Sequence, residues 1–532
     1  MHADTATIVG LVTPVNLRFV VPVYQRPYTW DIKQCAQLWD DVLSVGRAAQ
    51  EARMRSAYGS REVPTYHFTG SIVWIQDGAV SPAGVESRLL IDGQQRITTL
   101  MLVFVALVRY AQRHPEKAKA LVWSAQEILD DGYLTNKHRS GDDHYKLTLS
   151  KGDREVFQAL VDGLEQAGAA DGTAASAGTA ATPSASGELA DAMSVFAASA
   201  PTAPSHLLDN LAFFESELER VPDPNVVWLG LQHLQVASIA LTEGQDNPQL
   251  VFESMNSTGK DLSVADLVRN FILMSAPVES QASLYRTFWR PIEEALGADA
   301  GSALFDGFLH DWLTAIRAPQ QFDVADIYGA FKRYVRTGGY DTHSGVVALI
   351  NQLRRFVRYY AHITTGEPVP GRDSAAEVDE ALAGLRALGE PRVYPMLLSF
   401  YDAYDQQDID RDTFVRVLRV TESYVLRRLV CDCPGDDFAL YLSGIIGRLD
   451  GVRAVGGDYA TAYESYLLNA EGTALRFPTD DEFARAVSLR DAADWDEGSP
   501  IGRALAAGED ACRRWPYPAV DERTRAIYRA SR

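Results

Sequence analysis

Residues 87–110 read SRLLIDGQQRITTLMLVFVALVRY, and no other stretch limits the fold as much. SRLLI is a short β-like run, whereas from Ile97 to Tyr110 the chain is apolar nearly all round, the pattern of a buried helix. Between them Gly93 lets the backbone leave the strand sharply, and Gln94, Gln95 and Arg96 fall in the helix's first turn. A strand that feeds a buried helix calls for a mixed α and β core. A turn alone needs only Asp-Gly or Asn-Gly, so the extra amides and guanidinium at this point suggest that something polar binds.

Three more β-like runs share this half of the chain: LRFVVPVY at 17–24, FTGSIVWI at 68–75 and LQVASIAL at 234–241. Asp31 with Gln34 makes a capping-box pattern ahead of a helix whose Ile32, Cys35, Trp39, Val42 and Leu43 recur at helical spacing. Between Gly163 and Ser205 the residues are small and polar, unable to offset their own ordering entropy, and the expectation is a flexible insertion. From about residue 280 strand signals fade, and segments such as DTFVRVLRVTESYVLRRLV keep a helical period; Thr479 and Glu482 form another capping-box pair. At 532 residues and 58.5 kDa the chain exceeds a single core. The expected fold class is α+β, with a mixed domain over 1–275 carrying an insertion at about 163–205, then a mainly α-helical domain over 276–532.

A formal charge of −21 argues against coating nucleic acid by bulk electrostatics, although a local basic site remains compatible with it. Cys35, Cys431, Cys433 and Cys512 form neither CxxC pairs nor an extracellular framework, so reduced thiols and no structural zinc are expected. The N-terminus has no basic stretch followed by an apolar core. The longest apolar run, Ile97 to Val108, is well short of the roughly 20 residues that cross a bilayer. A cytoplasmic protein with no membrane partner is the expectation.

Three polar constellations could carry chemistry. VYQRPYTW, 23–30, puts three aromatics, a turn-fixing proline and Arg26 beside an amide; it could stack on a base while Arg26 meets a phosphate, or be core packing with Arg26 in an ion pair. In IDGQQR the free N–H groups and positive end of the helix favour an anion, Arg96 offers a bidentate partner, and Asp92 is placed to hold magnesium or orient a water. FESMNSTGKDLSVADLVRNFIL, 252–273, breaks at Gly259 and caps a new helix with Ser263 and Asp266. Its Asn256, Ser257, Thr258 and Lys260 could close over phosphates, or simply connect two helices. His310-Asp311, the cluster Arg354, Arg355 and Arg358, and the pair Arg427 and Arg428 carry no motif and read as packing or surface residues.

Taken in order, VYQRPYTW, FTGSIV, LLIDGQQRITTL and FESMNSTGKDLSVADLVRNFIL resemble the amino-terminal domain of the GmrSD family of restriction proteins, over about residues 8–275. SYVLRRLV and FPTDDEF resemble the helical region that follows, and the chain looks most like the SspE and BrxU branches. The resemblance implies a ParB/sulfiredoxin-like nucleotide-binding fold and an NTPase in defence against phage DNA. It implies GTP or ATP with Mg2+ at DGQQR: Asp92, Gln95 and Arg96 in the chemistry, Asp92 also at the metal, and Gly93, Gln94, Arg26, Asn256, Thr258 and Lys260 around the nucleotide. The loop with Tyr24, Gln25, Arg26, Tyr28 and Trp30 is the candidate sensor of modified double-stranded DNA, glucosylated or phosphorothioated. Hydrolysis would be coupled to DNA recognition and would control a nicking nuclease; a non-hydrolysing sensor subunit is the alternative. Such proteins usually continue into an HNH nuclease marked by HxxP, which this sequence lacks, so a nuclease domain beyond it or a partner nuclease subunit is expected. A homodimer is left open.

Overall fold

The computed structural model describes residues 1–57, 65–76, 84–130, 132–174, 206–242, 244–255, 262–276, 278–297, 301–317, 326–340, 342–369, 375–435, 437–445, 458–490, 496 and 498–530. Two compact units emerge: Met1–Asp261 with Pro277–Ala282, and Leu262–Ala276 with Ser283–Arg532. The Ser263 cap and its helix Val264–Met274 thus belong to the second unit.

Among its described residues the first unit has six strands: β1 His2–Thr7, β2 Leu17–Val20, β3 His67–Gln76, β4 Glu86–Asp92, β5 Leu147–Thr148 and β6 Leu234–Leu241. Their order is β1-β6-β3-β4-β2-β5. Parallel pairing joins β6 to β3, β4 to β2 and β2 to β5; β1 on β6 and β3 on β4 are antiparallel. Four strands fall where alternation and β-branched residues announce them. β1 and β5 do not: HADTAT is a polar, largely exposed edge, and β5 is only two residues long.

Helices among the described residues of this unit include α1 Ile8–Val12, α2 Ile32–Ala57, α3 Gln94–Arg113, α4 Pro115–Ala118, α5 Ala125–Asp130, α6 Lys151–Ala174, α7 His206–Arg220, α8 Asn225–His233 and α9 Pro248–Met255. The apolar α3 is the centre of the core: Leu100, Leu102, Phe104, Val105 and Leu107 are buried with Ile72 of β3, Leu90 of β4, Phe19 of β2 and Val236 of β6. Each such side chain adds about 1.5–3 kcal/mol on burial, so Leu102→Ala alone costs about 2–5 kcal/mol. Pro115 ends α3, because it cannot continue the hydrogen-bonded ladder. α9 packs beside β4. At the start of α2, the Asp31 N–H donates to Gln34 Oε1 (2.9 Å) and the Lys33 N–H to Asp31 Oδ1 (2.9 Å), the capping expected there.

The expected insertion starts later than its composition suggests. α6 runs to Ala174, and Leu164 is buried, with its carbonyl accepting from Gln112 Nε2 (3.0 Å). Alanine favours helix where a buried face upstream nucleates it. Residues 175–205 lie outside the described ones.

The second unit is helical, and among its described residues there is no strand. Its largest core gathers Trp289, Phe308, Trp312, Phe331, Leu353, Phe400 and Tyr424, and a smaller one joins Leu426, Phe483, Leu505 and Trp515. The helix Asp480–Leu489 carries the complete Thr479/Glu482 capping box. The fold is therefore α+β, a mixed six-stranded sheet followed by a mainly helical region. Among the described residues no helix is long and apolar enough to cross a membrane.

Candidate functional site

β4 delivers Asp92 as its last residue, opposite Val73 of β3. The next residue, Gly93, has φ +89°, and a Cβ there would come within 3.0 Å of the Ser71 carbonyl and the Ile72 side chain, so only glycine fits the turn. Gly93 also stands at the N-cap of α3, where it supplies no side-chain cap, and the positive end of a 20-residue helix is left facing the turn.

Charge converges on this point. The Asp92 carboxylate takes hydrogen bonds from the Gly93 N–H and the Ser71 hydroxyl, and both Arg96 and Arg26 act on it electrostatically. Burial is the strongest influence and pushes its carboxyl above the usual carboxylate range, with those four partners pulling the other way. Burial also lowers Arg96, against the pull of Asp92, but a guanidinium stays charged. Arg96 Nη1 donates to the Ser71 carbonyl (2.8 Å), and the guanidinium lies over Gly70, where a Cβ would come 2.7 Å from Nη2. Two guanidiniums within electrostatic reach of one carboxylate, at a helix N-terminus, make a centre whose charge suits a polyanion.

Gln94 adds an unsatisfied group. It is nine-tenths buried; its Nε2 makes a long bond to the Arg26 carbonyl (3.4 Å), and its Oε1 has no hydrogen-bond partner. A buried acceptor left unmet is costly, and a donor from a ligand or water would relieve it.

Gln95 faces the other way, into the loop after β2. Its Oε1 accepts from the Thr29 N–H (2.8 Å) and the Trp30 N–H (3.2 Å), and its Nε2 donates to the Pro27 carbonyl (3.0 Å). Gln25, also buried, donates from Nε2 to the Ile91 carbonyl (3.1 Å). Loop 21–31 and the IDGQQR turn are therefore hydrogen-bonded neighbours, an association that no local spacing reveals.

The loop's aromatics divide. Tyr24 and Tyr28 are 2% and 5% exposed, and burial raises the pKa of both hydroxyls. The Tyr28 N–H donates to Asp153 Oδ2 (2.7 Å), and its hydroxyl sits between Thr99 Oγ1 (2.7 Å) and Asn210 Nδ2 (3.1 Å). Of the two alternatives for this loop, the burial of these two rings favours core packing: they hold the loop from within. Arg26 and Trp30 are partly exposed. Asn256, Ser257, Thr258 and Lys260 lie outside the described residues.

Gly70 and Ser71, read in the sequence only as strand, belong to the site. The signal was a glycine inside a β-like run, which marks a bulge or a close backbone approach; the pairing of β3 with β6 does shift register between Phe68 and Ser71. The remaining candidates are structural. Arg427 and Arg428 are buried and donate to main-chain carbonyls. Arg355 pairs with Asp402 (2.9 Å), and His310 with the neighbouring Asp311 (2.9 Å).

Among the described residues no group of three or more His, Cys, Asp or Glu side chains is placed to hold a metal ion. At this turn Asp92 offers a single carboxylate, the kind of ligand that magnesium takes beside phosphate oxygens and water.

A mixed sheet whose strand-to-helix turn gathers an acid and a guanidinium, followed by a helical unit, defines an α+β protein. Residues 10–273 match the family model of the GmrSD restriction endonuclease, N-terminal domain, and with this half of the chain the protein belongs to that family. The family links it to restriction, in which DNA is the target and a nuclease domain or partner does the cutting. No curated protein matches the chain.

Proposed function

We propose that the Asp92 turn is an NTP-hydrolysing site and that the chain is the NTPase and modified-DNA-sensing part of its restriction system. The observation that supports this most directly is the convergence of Arg96, Arg26 and the N-terminus of α3 on Asp92. A triphosphate carries the charge such a centre favours, and the developing charge of phosphoryl transfer falls where the guanidiniums stand. Asp92, with its carboxyl raised by burial, is a better proton acceptor than an exposed aspartate and orients the attacking water. Mg2+, entering with GTP or ATP, would supply charge neutralisation at the phosphates. Gln94 lines the nucleotide side of the turn. Arg26, which belongs to both the site and the loop, links hydrolysis to DNA read by the outward part of that loop, and the outcome controls a nuclease in a further domain or a partner.

The test is phosphate release from GTP and ATP, with plain, glucosylated and phosphorothioated DNA compared. Turnover that rises with one modified DNA and disappears in Asp92→Ala and Arg96→Ala, with folding intact, supports the reading. Wild-type protein that binds nucleotide yet releases no phosphate with any DNA points instead to a sensor that regulates a nuclease without hydrolysis.

A further inference from the structure

We infer that Gln95 is a positioning residue that locks loop 21–31 to the first turn of α3, so that the two respond to a bound ligand as one body. Its side chain is 7% exposed, and both its oxygen and its nitrogen are engaged by loop backbone at Thr29, Trp30 and Pro27. That leaves the amide little capacity for substrate. A second tie runs beside it with every donor assigned. Thr99 Oγ1 donates to the Gln95 carbonyl (2.8 Å), so the Tyr28 hydroxyl donates to Thr99, and Asn210 Nδ2 donates both to the Tyr28 hydroxyl and to the Trp30 carbonyl (2.7 Å). Arg26, next to the Pro27 anchor, acts on Asp92. A phosphate that holds Arg26 therefore steadies the loop as well as α3, and DNA that steadies the loop steadies Arg26. The inference rests on the proposed nucleotide site only for the choice of one probe.

Hydrogen exchange of the full chain tests it, following peptides that cover 23–31 and 92–100. In wild type, GTPγS or ATPγS with magnesium slows exchange in both peptides together, and duplex DNA does the same. In Gln95→Met, similar in shape but without these hydrogen bonds, nucleotide slows only 92–100, and the loop exchanges about tenfold faster than in wild type. Gln95→Glu, which keeps the acceptor for Thr29 and Trp30, restores most of the joint response; a merely space-filling role would not distinguish Met from Glu. Thr99→Val cuts the second tie and serves if Gln95→Met does not fold. Joint protection that survives in both Gln95→Met and Thr99→Val overturns the lock. If nucleotide protects neither peptide in wild type and no phosphate is released, the nucleotide reading fails and the lock is still read: without ligand, the two peptides open with one denaturant dependence in wild type and with separate ones in Gln95→Met. Separate opening already in wild type overturns it.

Discussion

The guanidinium of Arg96 rests on Gly70, close enough that a methyl group there would come 2.7 Å from Nη2. Gly70 also has φ +109°, a conformation that L side chains rarely adopt. One residue thus supplies both the strand irregularity and the floor beneath the site's central cation. Gly70→Ala is expected to cost about 1–3 kcal/mol of stability. By displacing Arg96 it should also weaken nucleotide affinity about tenfold or more. Thermal melting and fluorescent-nucleotide titration read the two effects separately.

Asp92→Asn separates chemistry from stability. Hydrolysis is expected to fall about 10²–10⁴-fold, measured by phosphate release. Stability should move the other way. Burial raises the folded-state carboxyl above its ordinary 3.8, so the folded chain holds the proton more tightly than the unfolded one. That preference stabilises at low pH and is lost as pH rises through the folded value, after which the native protein carries a disfavoured charge. The variant should therefore melt about 2 °C above wild type at neutral pH, with the gap closing toward pH 4.

Arg427 and Asp480 should respond unequally. Arg427 has a fully buried side chain and donates to the Trp515 carbonyl from Nε (2.9 Å) and Nη2 (2.7 Å) and to the Pro478 carbonyl (3.0 Å); its ion-pair partner Asp480 is 59% exposed. Arg427→Met leaves those carbonyls unmet and is expected to cost about 3–5 kcal/mol. Asp480→Asn should cost under about 1 kcal/mol. Urea unfolding of the two variants gives the comparison.

His362 is expected to make the helical unit acid-sensitive. It is buried between Tyr401, whose hydroxyl meets Nδ1 at 2.8 Å, and Asp379, 2.9 Å from Nε2. Burial lowers its pKa below 6.5, Arg386 adds to that, and Asp379 opposes it. Because the folded value is the lower one, the stability is present above the unfolded pKa and is lost as pH falls from 6.5 through the folded value. Wild type should lose about 2 °C in Tm between pH 7.5 and 5.5 beyond any loss in His362→Gln.

The alternation of LQVASIAL and the unbroken apolar run after IDGQQR suffice to place β6, β4 and α3, because burying those residues determines both element type and inward face. The capping pairs at Asp31 and Thr479 were equally legible, since a cap acts within three residues. β1 left no trace: a polar edge strand is stabilised by the β6 backbone it meets, from His2↔Ala240 to Thr7↔Gln235, not by its own side chains.

The sequence by itself determined that a glycine turn with an acid, two amides and a guanidinium would stand between a strand and a buried helix. Tertiary structure decided what each of those residues faces. It brought Arg26, 66 positions before Asp92 in the numbering, into the field of that carboxylate, laid Arg96 on Gly70, and turned Gln95 into loop 21–31. Periodicity and caps are local and can be read along the chain. Contacts between the ends of neighbouring strands depend on strand order, which no local pattern encodes.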